Sequence, residues 1–192
     1  MNKLRLVTIA SILLLSTFAY SQVAVRGGLN YSNVSVDGND VDFGAGSKIG
    51  YHLGLQGDIA LAGLRLRPAL LYHVKGGKGE SSGATGNTNL HYLEVPVNLA
   101  LKIGGNALGV ILEAGPYFGY LLNTSSGFID NLDDRLNKSD WGANFGLAIE
   151  LQGLGVGVNY SNSLANIAKD QQISGAFKTT NGNLTLFGYL KF

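Results

Sequence analysis

The sequence predicts an all-β fold: an eight-stranded antiparallel up-and-down transmembrane β-barrel. Three observations carry that expectation. Past residue 22 the apolar residues recur with a period of 2 rather than 3.6, the repeat of a strand whose two faces meet different surroundings. Most of the alternating runs are about 8 to 13 residues long. That is nearer the roughly 9 to 11 a tilted strand needs to cross a bilayer than the five or six of a strand in a soluble sandwich. The connections also alternate, short then long, as in a barrel trimmed at one rim and looped at the other.

Taken in chain order, the first run sets Val23, Val25, Gly27, Leu29 and Tyr31 against Ala24, Arg26, Gly28, Asn30 and Ser32. The second opposes Ile49, Tyr51, Leu53, Leu55 and Ile59 to Gly50, His52, Gly54, Gln56 and Asp58. The third opposes Leu64, Leu66, Pro68, Leu70, Tyr72 and Val74 to Arg65, Arg67, Ala69, Leu71, His73 and Lys75. In the fourth, Leu93 to Ile103 alternates with Tyr92, Glu94, Pro96, Asn98, Ala100 and Lys102. The charges of these four runs all fall on one parity. The fifth run, Val110 to Leu122, puts Glu113 on the polar face, which Ile111 and Leu121 interrupt. The sixth, Trp141 to Leu151, carries Glu150 inward; the seventh runs from Leu154 to Tyr160 and the eighth from Leu184 to Phe192, with Lys191 on its polar side.

Between the runs, Ala62-Gly63, Gly104 to Ala107 and Gly153 read as tight turns. Asp37 to Ser47, Gly76 to Asn89, Asn123 to Ser139 and Asn162 to Gly182 read as long polar loops. An even number of strands brings both termini to the short-turn rim, which suits delivery from the periplasm, and closure removes the free edges that hydrocarbon penalises. Tyr31, Tyr51, Tyr72, Tyr120, Trp141, Tyr160 and Phe192 lie on the apolar parity near run ends, where interfacial girdles belong.

Composition narrows the function. The 192 residues include 28 Gly and no Cys, only 14% are charged, and the formal net charge is +1. This excludes disulfides, thiolate metal sites and an electrostatic case for nucleic acid. Glycines on the inward parity, such as Gly54, Gly115 and Gly142, fit curvature and a crowded interior. Residues 1–21 have the layout of a cleaved secretory signal peptide: Lys3 and Arg5, an apolar stretch from Leu6 to Leu15, and small residues at Ala19 and Ser21. Residues 22–192 then form a single barrel domain.

Val25-Arg26-Gly27-Gly28-Leu29-Asn30, Tyr92-Leu93-Glu94-Val95-Pro96-Val97, Glu113-Ala114-Gly115-Pro116-Tyr117 and the terminal Tyr189-Leu190-Lys191-Phe192 carry a family resemblance. With these blocks in this order, the chain resembles the PorT-like outer-membrane β-barrel proteins of the Bacteroidetes lineage over essentially all of the mature sequence. The resemblance implies a Gram-negative outer-membrane barrel and assigns no chemistry. Leu190 and Phe192 also resemble the C-terminal signal read by the barrel assembly machinery, with Gly188 one position away from the usual glycine.

The inward polar parity is where a site would lie. Arg26, His52, Asp58, Arg65, Arg67, His73, Lys75, Glu94, Lys102, Glu113, Glu150 and Lys191 should point into a lumen just wide enough for side chains to fill. Opposite charges there should pair, because unpaired buried charge is costly. The expected role is a structural plug in a non-enzymatic barrel that contacts outer-membrane lipid. A narrow gated ion path and a small ligand in the upper lumen are alternatives. Enzymatic action on lipid is the weaker reading: His91 near Glu94, with Ser81 and Ser82 before it, lacks any nucleophile motif. Asp130, Asp133, Asp134 and Asp140 concentrate acid in one loop without the spacing of a calcium site, so a solvated loop is expected, with no metal and no cofactor. A surface partner, if one exists, would meet the long loops.

Overall fold

A computed structural model of the chain describes residues 21–35, 46–61, 63–81, 84–105, 107–126, 138–164 and 180–192. Eight strands follow one another: β1 Ser21–Ser35, β2 Gly46–Leu61, β3 Leu64–Ser81, β4 Ala84–Gly104, β5 Leu108–Ser126, β6 Ser139–Leu151, β7 Leu154–Ser163 and β8 Thr180–Lys191. Each pairs antiparallel with the next, and β8 returns to β1 to close the barrel. Among the described residues no helix forms. The expected leader over residues 1–21 lies, apart from Ser21, outside the described residues.

Alternation sets which way the side chains face. Along β4 the pattern from Tyr92 to Ala100 switches between buried and exposed at every residue. The outward set is almost wholly apolar, with Leu53, Leu99, Leu147, Val156 and Leu186 each between 46% and 59% exposed. The inward set holds the charges and amides. Hydrocarbon contact therefore falls on the residues that avoid water, and the chain's backbone donors and acceptors are satisfied strand to strand.

Tight turns close one rim. The β6–β7 hairpin turns on Gln152 and Gly153, with φ of 50° and 89°. Two central residues of positive φ match the twist of a two-residue hairpin. Gly63 and Gly104 adopt φ of 93° and 118° at the other two turns.

The opposite rim departs from expectation at one connection. Residues 76–89 do not form a long loop: β3 and β4 stay paired from Gly76↔Asn89 up to Ser81↔Ala84. The segment is polar and glycine-rich, so it shows no facial alternation, yet backbone pairing requires none. Among the described residues, the pairing of this ribbon with its other neighbours runs as far as Gly46↔Lys78 and Thr88↔Ser126. The other three expected loops fall largely on residues 36–45, 127–137 and 165–179, outside the described residues.

Two further departures are local. Val74 belongs to the outward parity but is buried, beside a register irregularity in the β2–β3 ladder. Most outward aromatics lie in the loop-rim half of their strands: Tyr31, Tyr51, Tyr120, Trp141 and Tyr160, with Tyr72 and Phe145 at mid-strand. Register links them, through pairs such as Leu93↔Tyr120 and Phe118↔Trp141, into one belt. At the turn rim Phe192 is the outward aromatic among the described residues, and the rest of that band is aliphatic.

Inside the wall the strands come close. A Cβ on Gly54 would strike the backbone oxygen of Leu70, and one on Gly142 would strike that of Asn162. These glycines permit a close approach of neighbouring strands, which a small, tightly curved barrel needs.

Candidate functional site: the charged lumen

The barrel wall turns the side chains of all twelve expected lumen residues to one interior, where they join in ion-pair and hydrogen-bond clusters. At the turn end, Lys191 from β8 lies 2.6 Å from both Asp58 of β2 and Glu150 of β6. Lys102 of β4 lies 2.7 Å from Glu150, and Arg65 of β3 lies 3.2 Å from Asp58. The Tyr189 hydroxyl donates to Glu150 at 2.7 Å.

One layer inward, Glu113 of β5 receives Arg26 of β1 at 3.2 Å and Arg67 of β3 at 2.5 Å. Arg67 also lies 3.6 Å from Asp58, which connects the two layers. Arg26 donates to Gln56 at 2.8 Å and stacks over the Phe187 ring at 3.7 Å. The stacking gives the guanidinium a favourable face where water is excluded.

Toward the loop end, Lys75 bridges Glu94 at 2.7 Å and Asp140 at 3.7 Å. His52 and His73 stack with ring centroids 4.9 Å apart. The amide of Asn30 reaches both, lying 2.8 Å from His52 Nδ1 and 3.4 Å from His73 Nδ1. His73 Nε2 is 3.8 Å from Glu94. Between this group and the Arg26 layer lies a cavity of about 10 Å³, lined in part by Arg26, His73, Asn98 and Asn144. A space of that size holds about one water.

Sequence reasoning placed Asp140 in an acidic loop. It belongs instead to β6, is 1% exposed, and accepts from Ser163 at 2.5 Å inside the lumen. Its parity with Gly142 and Asn144 carried that signal. Asp130, Asp133 and Asp134 lie outside the described residues. The inward rings of Tyr92, Tyr117, Phe187 and Tyr189 were likewise on the polar parity, yet they fill the lumen as its largest spacers. Ala24, Ala100, Ile111 and Ala148 pack with Phe187 and Tyr189, so the inner face has an apolar patch among its charges.

His91 and Glu94 do not come together. An odd separation of three residues sends them to opposite faces: Glu94 is buried in the lumen, and His91 stands outside, 2.7 Å from the Tyr72 hydroxyl. Ser82 lies outside the described residues. Among those described, no group of three or more His, Cys, Asp or Glu side chains is arranged to hold a metal ion.

Residues 11–169 match the outer membrane protein β-barrel domain family. The chain belongs to that family. As an outer membrane β-barrel domain it takes its place in the Gram-negative outer membrane, with its apolar exterior against lipid. Among solved structures it is similar to Neisserial surface protein A, NspA, at 12% identity and a TM-score of 0.51, covering 88% of this chain and 97% of that one. The outer membrane enzyme PagL gives 16% identity and a TM-score of 0.49 over 88% and 98% of the two chains. Ail, the attachment invasion locus protein of Yersinia pestis, gives 13% and 0.46 over 90% and 99%. At these identities the likeness to NspA is one of fold. No curated protein matches the sequence.

Proposed function

We propose that the protein is a non-enzymatic outer-membrane barrel whose lumen is a charge-paired plug, with a structural or surface-interaction role carried by its loop rim. One observation supports this reading above the others. Six basic side chains (Arg26, Arg65, Arg67, Lys75, Lys102 and Lys191) interlock with five carboxylates (Asp58, Glu94, Glu113, Asp140 and Glu150) across the lumen. A cavity among them, of about 10 Å³, is far below what a hydrated ion or a lipid chain needs. The separation of His91 from Glu94 speaks against a lipid-processing site.

In this reading residues 1–21 are a signal peptide removed on export, both termini face the periplasm, and Leu190 and Phe192 serve recognition by the assembly machinery. The blocks that resemble those of PorT-like proteins support assigning the chain to that branch of Bacteroidetes barrels. Planar-bilayer recordings test the plug directly. The purified barrel is expected to give no stable single-channel steps, whereas steps whose size changes on replacing Arg65 or Glu94 would establish a conducting lumen. Lipid mass spectrometry tests the absence of catalysis: expression should leave the lipid profile unchanged, and a modified lipid that vanishes with His91→Ala would contradict it.

A further inference from the structure

The charges of the lumen are distributed unevenly along its axis, with the positive excess toward the turn end. Toward the loop end Lys75 stands against two carboxylates, Glu94 and Asp140. From the middle to the turn end, Arg26, Arg65, Arg67, Lys102 and Lys191 stand against three: Asp58, Glu113 and Glu150. The two carboxylates nearest the turn-end mouth are each shared three ways. Asp58 Oδ2 lies 2.6 Å from Lys191, 3.2 Å from Arg65 and 3.6 Å from Arg67. Glu150 lies 2.6 Å from Lys191, 2.7 Å from Lys102 and 3.7 Å from Arg65, and it also accepts from Tyr189. Positive charge in a confined, poorly hydrated space needs a counter-charge, and the wall supplies too few at this end.

Access singles out where a counter-charge would enter. The side chains of Arg67, Lys191 and Arg26 are 0%, 4% and 5% exposed, whereas Lys102 is 10% and Arg65 23% exposed. Both ion pairs of Arg65 run through Nη1, and its side chain is the most exposed of these five. A planar fork of N–H donors matches an oxyanion in two-point fashion, and a neighbouring ammonium adds a point charge.

We infer that the turn-end mouth is a binding site for a small tetrahedral oxyanion of the phosphate class, held by Arg65 and Lys102 with Lys191 behind them. The phosphate group comes either from free inorganic phosphate in the aqueous phase or from an anionic lipid headgroup at the rim. The site does not depend on whether the lumen conducts.

The experiment uses the full mature barrel refolded in nonionic detergent, with inorganic phosphate titrated at constant ionic strength against chloride. Calorimetry and the thermal unfolding midpoint are both read. Saturable binding with a rising midpoint is expected. The double variant R65Q/K102Q should weaken it about tenfold or more, the scale of losing charge-assisted contacts. Heat-modifiable migration on gels establishes that the variant is folded, and Arg65→Lys, which keeps the charge without the fork, should give an intermediate affinity. A second arm replaces free phosphate with micelles containing phosphatidylglycerol. A midpoint rise in that arm alone, lost in the double variant, identifies the headgroup as the source. No saturable response in either arm, or an equal response in wild type and folded double variant, overturns the site.

Discussion

Glu113 is the residue on which the middle of the lumen depends, because it receives both Arg26 and Arg67 with its side chain fully buried. Glu113→Gln keeps the shape and removes the charge, leaving two guanidinium groups face to face in a low-dielectric space. The expected loss is about 3 to 5 kcal/mol, the usual result of breaking a buried pair on one side. A lower urea midpoint for unfolding from lipid vesicles is the measurement. Glycine positions give a steric counterpart. At Gly142 an added methyl would meet the Asn162 carbonyl oxygen and the Tyr117 ring, whereas at Gly105 nothing lies within 4 Å. Gly142→Ala should therefore cut the heat-modifiable fraction sharply, and Gly105→Ala should leave it near wild type. Charged lumen residues such as Arg67 and Glu150 were legible in the sequence because a charge on a strand can lie only on the face away from lipid. Which charge pairs with which was not, since Arg26 and Glu113 meet across the lumen from strands that do not hydrogen-bond to each other.

Strand existence and direction were legible for the same reason: period 2 is imposed by lipid on one side and a packed lumen on the other. Where neither constraint acts, as in the polar ribbon at the top of β3 and β4, alternation vanishes and the sequence reads as loop although the backbone remains paired. Asp140 was obscured by the acidic residues before it rather than by its own parity. The ribbon supports a test. Replacing residues 79–86 with an Asn-Gly turn joins Lys78 to its partner Asn87 and, among the described residues, removes β3–β4 pairs alone. The shortened protein is expected to insert and to keep its unfolding midpoint. The belt of outward aromatics supports another. Trp141 is the chain's one tryptophan and sits near the start of β6 at the loop rim. Its fluorescence should be quenched more by lipids brominated near the glycerol end of the acyl chain than by those brominated near the chain terminus. The reverse order would place the belt at mid-bilayer.

For the whole molecule, an aliphatic exterior and a filled interior leave the loop rim and the turn-end mouth as the surfaces able to meet soluble partners. The barrel is thus a platform, and its family membership fixes location and architecture before any activity. The seam between β1 and β8 adds a constraint on how such a platform comes into being. Ala24 through Ser35 pair with Lys191 back through Thr180, and the Phe192 amide donates to Val23 at 2.9 Å. β1 can find one of its two partners only after β8, at the far end of the barrel sequence, has arrived. Pairing across that sequence distance is intrinsically slow, and until it happens β1 carries an open edge prone to wrong partners. A chain cut at residue 179 would expose the free edges of both β1 and β7, and it should accumulate as aggregate rather than as a smaller barrel. Closure is thereby all or nothing: β8 satisfies two edges at once, and without it neither β1 nor β7 has a partner on its open side.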